Sequence, residues 1–231
     1  MKLDTHDKNS LTVAEKVAKM LLEIKAITLS PQAPYRFTSG ILSPIYTDNR
    51  LLMGYPLKRR EITGFMANLI KERNLKTDLI AGTSTAGIPP AAWLADLLNL
   101  PMVYVRGEKK EHGKGRQVEG VMARGSRVLL VEDLISTGKS SLSAVEAIRR
   151  EGGKIDTCIA FFNYGLSEAV QKYRDLAVNL YTLTTLDIVL AVAQQVSLIG
   201  KKEADIVFAW QKDPIAWEKS MRAKEEKPTE Y

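Results

Sequence analysis

VLLVEDLISTGKS, at residues 128–140, decides the fold. Val128, Leu129, Leu130 and Val131 form an apolar, β-forming run. Glu132 and Asp133 follow, and then a small-residue turn, Ser136, Thr137, Gly138, Lys139 and Ser140, that opens a helical pattern. In an open α/β sheet, ligands bind beyond the carboxyl ends of the strands, which is where these acids and this turn fall. The turn directs backbone N–H groups, hydroxyls and a helix N-terminus at one point, which suits a phosphate monoester, and Gly138 lets the main chain come close. The two carboxylates cannot favour that anion. As strong acceptors and oxygen ligands they suit ribose hydroxyls, directly or through Mg²⁺. The alternative is an ordinary strand-to-helix turn with solvated acids. The stretch lacks both the GxxxxGK[ST] and the GxGxxG spacing.

Outward from this segment, short apolar runs at 79–81, 102–105, 155–162 and 178–183 alternate with helical stretches at 90–98, 140–151, 168–173 and 186–196. Thr184 or Thr185 is placed to cap the last of these. Such alternation is the signature of parallel α/β construction. Upstream, Thr12 and Glu15 have capping-box spacing, and Val13, Val17, Met20, Leu21 and Ile24 recur at helical intervals, predicting a first helix that ends near Ile27. Pro31, Pro34, Gly40 and Pro44 predict irregular or short extended structure over 30–48. Pro56 opens a second helix with Ile62, Phe65, Met66, Leu69 and Ile70 on its apolar face. Trp93, Trp210 and Trp217 are expected to pack, and the charged stretch 222–231 to be a solvated tail.

Composition bounds the function. The 231 residues are 45% hydrophobic and 26% charged, which excludes disordered, collagenous and coiled-coil classes. Thirty-three Lys and Arg against 27 Asp and Glu leave a net charge of +6, suited to nucleic acid or small polyanions and deciding between neither. The single cysteine, Cys158, excludes an internal disulfide framework and reads as a buried strand thiol in a reducing compartment. No apolar run reaches the roughly 18 residues needed to span a bilayer, so the expectation is a cytoplasmic protein.

A second segment carries charge. Arg106 closes the run 102–105, and GEKKEHGKGRQVEG follows at 107–120, with Lys109, Lys110, His112, Lys114 and Arg116 among glycines and almost nothing apolar. It reads either as a loop that is mobile until it meets a polyanion or as a solvated basic loop.

Residues 128–140 closely resemble the phosphoribosyl diphosphate (PRPP) motif of the type I phosphoribosyltransferases, with Glu132 where aspartate is commoner. Arg106, Lys110, His112 and Gly113 match the catalytic loop of that family's orotate branch, although Gly107 stands where many members have a second lysine. FTSGILSPIYTDNR, at 37–50, and GTSTAGIPPAAWLA, at 82–95, resemble the same branch's base-binding segment and its turn beside pyrophosphate. There are departures. Thr38 replaces a common lysine, and Thr85 and Ala86 replace Tyr and Lys. Phe162, Asn163 and Tyr164 follow the strand that in many members delivers an arginine to the orotate carboxylate, and no arginine is there. Arg50 is nominated instead, supported by Tyr46 and backbone donors around 43–46; the other reading of Arg50 is a surface salt bridge.

The resemblance implies an α/β type I phosphoribosyltransferase fold, a central mostly parallel sheet flanked by helices with a small N-terminal hood. Residues 1–55 would form the first helix and hood segment, 56–215 the core with its mobile loop at 106–120, and 216–231 a charged tail, all in one structural domain. It implies orotate and PRPP as substrates, orotidine 5′-monophosphate and pyrophosphate as products, and a place in UMP biosynthesis. PRPP would be bound by Arg106, Lys110, His112, Glu132, Asp133, Leu134, Ile135, Ser136, Thr137, Gly138, Lys139 and Ser140. Catalysis would fall to Lys110, His112, Arg106 and Asp133, and orotate to Ser136, Tyr46 and Arg50. Mg²⁺ would bind mainly through PRPP, with no firm protein ligand. A homodimer sharing its loops across the interface is implied, with neither nucleic acid nor membrane as partner. A purine phosphoribosyltransferase and a PRPP-sensing regulator are the alternatives; the regulator needs a DNA-binding module, and the residues before Tyr35 hold one convincing helix.

Overall fold

In the computed structural model, which describes residues 11–36, 41–107 and 116–225, the parallel sheet forms around the decisive strand. The N-terminal part runs α1 (Val13–Glu23), β1 (Ile27–Leu29), β2 (Tyr35–Arg36), β3 (Leu42–Ser43) and β4 (Ile45–Thr47), then a 3₁₀ turn (Asn49–Gly54) and α2 (Pro56–Glu72). The core continues with β5 (Leu79–Thr83), α3 (Ile88–Leu98), β6 (Met102–Val105), β7 (Val118–Glu119), β8 (Arg127–Ile135), α4 (Lys139–Arg150), β9 (Lys154–Asn163), α5 (Ser167–Asp175), β10 (Asn179–Thr185) and α6 (Leu186–Gln195). It ends in α7 (Lys201–Lys212) and α8 (Pro214–Glu225).

The main sheet has the order β10-β9-β8-β5-β6-β7, parallel except for β7 at the edge. The small ribbons β1–β4 and β2–β3 are antiparallel and build the hood. Successive side chains of a strand leave on opposite faces, and the central strands divide accordingly. Ile80, Leu129, Val131, Ile159 and Phe161 join one core with residues of α1, α2, α3, α6 and α7; Leu79, Ala81, Leu130, Cys158 and Ala160 join another with α4 and α5. Cys158 is fully buried, and burial pushes its thiol up to about 12.

Three expectations are corrected. The first helix stops at Glu23 rather than near Ile27, because Lys25 takes a left-handed φ of 57° and Ile27 pairs with Thr47 as the start of β1. The β8 strand does not end at the acids: β9 runs alongside as far as Asn163, and the ladder carries Glu132 opposite Ala160 and Ile135 opposite Asn163. The core does not end at 215. Residues 216–225 belong to α8, and Trp217 is buried in the main core with Trp210 of α7; residues 226–231 lie outside the described part. Trp93 is half-buried, with the Arg59 guanidinium 5.5 Å from its ring centre.

Candidate active site

At the carboxyl end of β8 lies a cavity of about 560 Å³. The acids and the turn, Glu132, Asp133, Leu134, Ser136, Thr137, Gly138, Lys139 and Ser140, line it together with Ser84, Thr85, Ala86 and Gly107. Gly138 caps α4 with φ 74°, a conformation that favours glycine, and a Cβ there would stand 3.0 Å from the Tyr173 ring. A buried relay fixes the turn from below: the Tyr173 hydroxyl donates to Ser141 Oγ at 2.6 Å, and Ser141 Oγ donates to the Gly138 carbonyl at 3.0 Å.

The two acids are held differently from surface carboxylates. Glu132 is buried, accepting from the Asp133 N–H at 3.3 Å and from Ser140 Oγ at 3.3 Å. Desolvation, reinforced by the charge of Asp133, raises its carboxyl to about 8. Asp133 is raised as well, chiefly by burial. Burial outweighs these partners and leaves both carboxyls raised, so hydroxyl donors or a cation reaching them would favour their ionised forms, which is the chemistry of a ribose or of a divalent ion bound with it. Asn49, from the 3₁₀ turn, donates its amide to the Asp133 carbonyl at 2.8 Å and so ties the hood to the acid pair.

Beside this cavity, Arg106 lines a shallower depression with Ser84, Thr85, Ile88, Tyr104, Gly107 and Glu119. The ends of the basic loop are fastened there. Arg106 N–H donates to the Gln117 carbonyl at 2.9 Å, and Gln117 Nε2 donates back to the Arg106 carbonyl at 3.2 Å. Glu151 Oε1 accepts from the N–H groups of both Gln117 and Val118. Lys110 and His112 lie outside the described residues, as do Lys109, Gly113, Lys114 and residues 37–40.

A second cavity, about 730 Å³, shares Leu134, Ser136 and Thr137 with the first. Its other walls come from the hood (Ile41, Ser43, Tyr46, Thr47), from the turn after β9 and the start of α5 (Tyr164, Leu166, Ser167, Glu168) and from the end of α7 and start of α8 (Trp210 to Ile215). Tyr164 joins these walls. Its hydroxyl donates to Thr47 Oγ1 at 3.0 Å, its carbonyl accepts from Gln211 Nε2 at 2.7 Å, and its ring meets Trp210 edge-on at 5.3 Å.

The structure therefore brings Glu132, Asp133, Leu134, Ser136, Thr137, Gly138, Lys139 and Ser140 to one cavity, with Arg106 at its flank and Tyr46 in its neighbour. Two nominated residues fall elsewhere. Ile135 is buried in the α4-side core and its side chain lines neither cavity. Arg50 also lines neither cavity: its Nε and Nη2 meet Asp48 Oδ1 and Oδ2 at 2.7 and 2.9 Å, so the salt-bridge reading is the one observed. Sequence reasoning did not single out Asn49, Gln211 or Lys212. The last two lie on α7, which no local pattern brings to the site.

Residues 56–192 match the phosphoribosyl transferase domain family. The chain is 49% identical over 205 residues to the orotate phosphoribosyltransferase of Coxiella burnetii, covering 89% of this chain and 98% of that one. Among solved structures it is similar to the orotate phosphoribosyltransferase from Aeropyrum pernix, with TM-score 0.68 and 28% identity over 80% of this chain and 99% of that one. It is also similar to the UMP synthase of Leishmania donovani, with TM-score 0.73 and 25% identity over 87% of this chain, and spans 42% of that longer protein.

Proposed function

The chain belongs to the orotate phosphoribosyltransferase family, and from that premise we infer that it joins N1 of orotate to the anomeric carbon of PRPP, forming orotidine 5′-monophosphate and releasing pyrophosphate. One observation carries the reading. A cavity with acids and a phosphate turn abuts a larger, mainly apolar one, and they meet on Leu134, Ser136 and Thr137 at the end of β8. A sugar phosphate in the first and a planar base in the second would touch across those residues.

The chemistry asks for positioning and charge compensation rather than a covalent nucleophile. Glu132 and Asp133 accept from the ribose hydroxyls, while the amides and hydroxyls from Ser136 to Ser140 hold the 5′-phosphate. Ser136 and Tyr46 contact the base. Arg106, Lys110 and His112 neutralise the charge that grows on pyrophosphate as its bond to the anomeric carbon breaks. Support for Arg106 is its place on the depression beside the sugar cavity; support for Lys110 and His112 is their motif match. Mg²⁺, held mainly through PRPP oxygens, adds to that neutralisation when bound. The acids lining the sugar cavity, Glu132 and Asp133, fit such an ion, since burial raises both carboxyls and a cation beside them would favour their ionised forms.

We assign the enzyme to a homodimer in which each loop serves its neighbour's site. The exposed apolar side chains Leu51, Met53, Tyr55 and Leu57 support a second copy as occupant of that surface. A reducing, cytoplasmic setting fits the lone buried Cys158, and no described helix is long and apolar enough to cross a membrane. The test is spectrophotometric: orotate absorbance should fall only when PRPP and Mg²⁺ are both supplied. Consumption of adenine or hypoxanthine instead of orotate would overturn the assignment.

A further inference from the structure

Orotate carries a carboxylate that uracil lacks, and a site that selects it needs a positive charge at the base cavity. Three ionic side chains line that cavity: Glu168, Lys212 and Asp213. Both acids are engaged elsewhere. Glu168 pairs with Lys172 one turn along α5, and Asp213 Oδ1 accepts from the Ala216 N–H at the start of α8. Lys212 has no ion pair among the described residues, and it is the one cation among the cavity's described lining residues.

Its backbone is fixed although its side chain is exposed. Trp210 packs edge-on against Tyr164, and Gln211 donates to the Tyr164 carbonyl, so the last turn of α7 is docked on the turn after β9. Gly165, with φ 72°, permits the approach: a Cβ there would lie 3.1 Å from Gln211 Nε2. The next residue along is Lys212, an ammonium on a flexible four-carbon stem at the cavity wall.

Resting on the functional reading above, we propose that Lys212 supplies the positive charge that holds the orotate carboxylate and selects orotate over carboxylate-free pyrimidines. Steady-state kinetics of Lys212→Ala and Lys212→Arg test it. In Lys212→Ala the KM for orotate should rise by about tenfold or more, with the KM for PRPP and the circular dichroism spectrum unchanged, as expected for loss of a charge-assisted contact to one substrate. The preference for orotate over uracil should narrow in the same variant, and Lys212→Arg should restore most of both. A KM for orotate within about twofold of wild type in Lys212→Ala, or an equal rise in the KM for PRPP, would overturn the assignment. Failure of the wild-type enzyme to consume orotate at all is a separate result, and it overturns the functional reading and this inference together.

Discussion

The side-chain amide of Asn49 donates to the main-chain carbonyl of Asp133 across 2.8 Å, joining residues 84 positions apart. The hood is therefore pinned at the very point where β8 presents its acids. Asn49→Ala leaves that part-buried carbonyl without its donor, which costs about 1–3 kcal/mol. In a chain of this size each 1 kcal/mol lowers Tm by roughly 2–4 °C. Calorimetry should show that drop, and the KM for PRPP should rise with it; an unchanged Tm would remove the pin from the account.

Glu132 titrates in the folded protein at about 8, against 4.5 when solvated, because burial and Asp133 disfavour its charge. The folded state thus holds a proton that the unfolded state releases. The stability this provides is complete below about 4.5 and is lost as pH rises through about 8. Asp133, also raised, acts with the same sign. Ligand-free wild type should lose Tm across this window, and Glu132→Gln, uncharged throughout, should flatten the decline while weakening PRPP binding. A wild-type Tm that climbs through the window would contradict the burial argument.

Gly138 is a place where the main chain needs a missing side chain. Alanine there faces a left-handed φ and the Tyr173 ring together, a strain of about 1–3 kcal/mol. The expected outcome for Gly138→Ala is a lower Tm and a markedly weaker affinity for PRPP by isothermal titration, with the affinity for orotate less affected. Equal PRPP affinity would mean that the turn does not receive the phosphate.

Lys110→Ala should lower turnover by orders of magnitude and leave the thermal transition where it was, since the residue's proposed task is transition-state charge. Rapid-quench measurement of the chemical step separates this from slow product release. Wild-type turnover in the variant would strip the loop of its role.

The β8 segment was legible because each of its features serves one end: an apolar run for the sheet, acids and small residues for a ligand. The capping box at Thr12 and Glu15 was equally plain, since it closes within one turn and the structure forms both of its bonds. What escaped notice depends on contacts that no local pattern records. Residues 201–225 are rich in charge, and their buried positions, Ala204, Val207, Trp210 and Trp217, are too sparse to announce two helices packed on the site. The bond between Gln211 and Tyr164 spans 47 positions. Arg50 was legible in two ways, as a partner for the substrate carboxylate and as a surface salt bridge, and the structure shows it paired with Asp48.

Tyr164 has its phenol, its carbonyl and its ring each committed to a different neighbour. Replacing Tyr164 by arginine would forfeit the grip on Thr47 and on the Trp210 indole in a single stroke. Any change at this position that removes the phenol and ring therefore loosens the hood and the end of α7 at once.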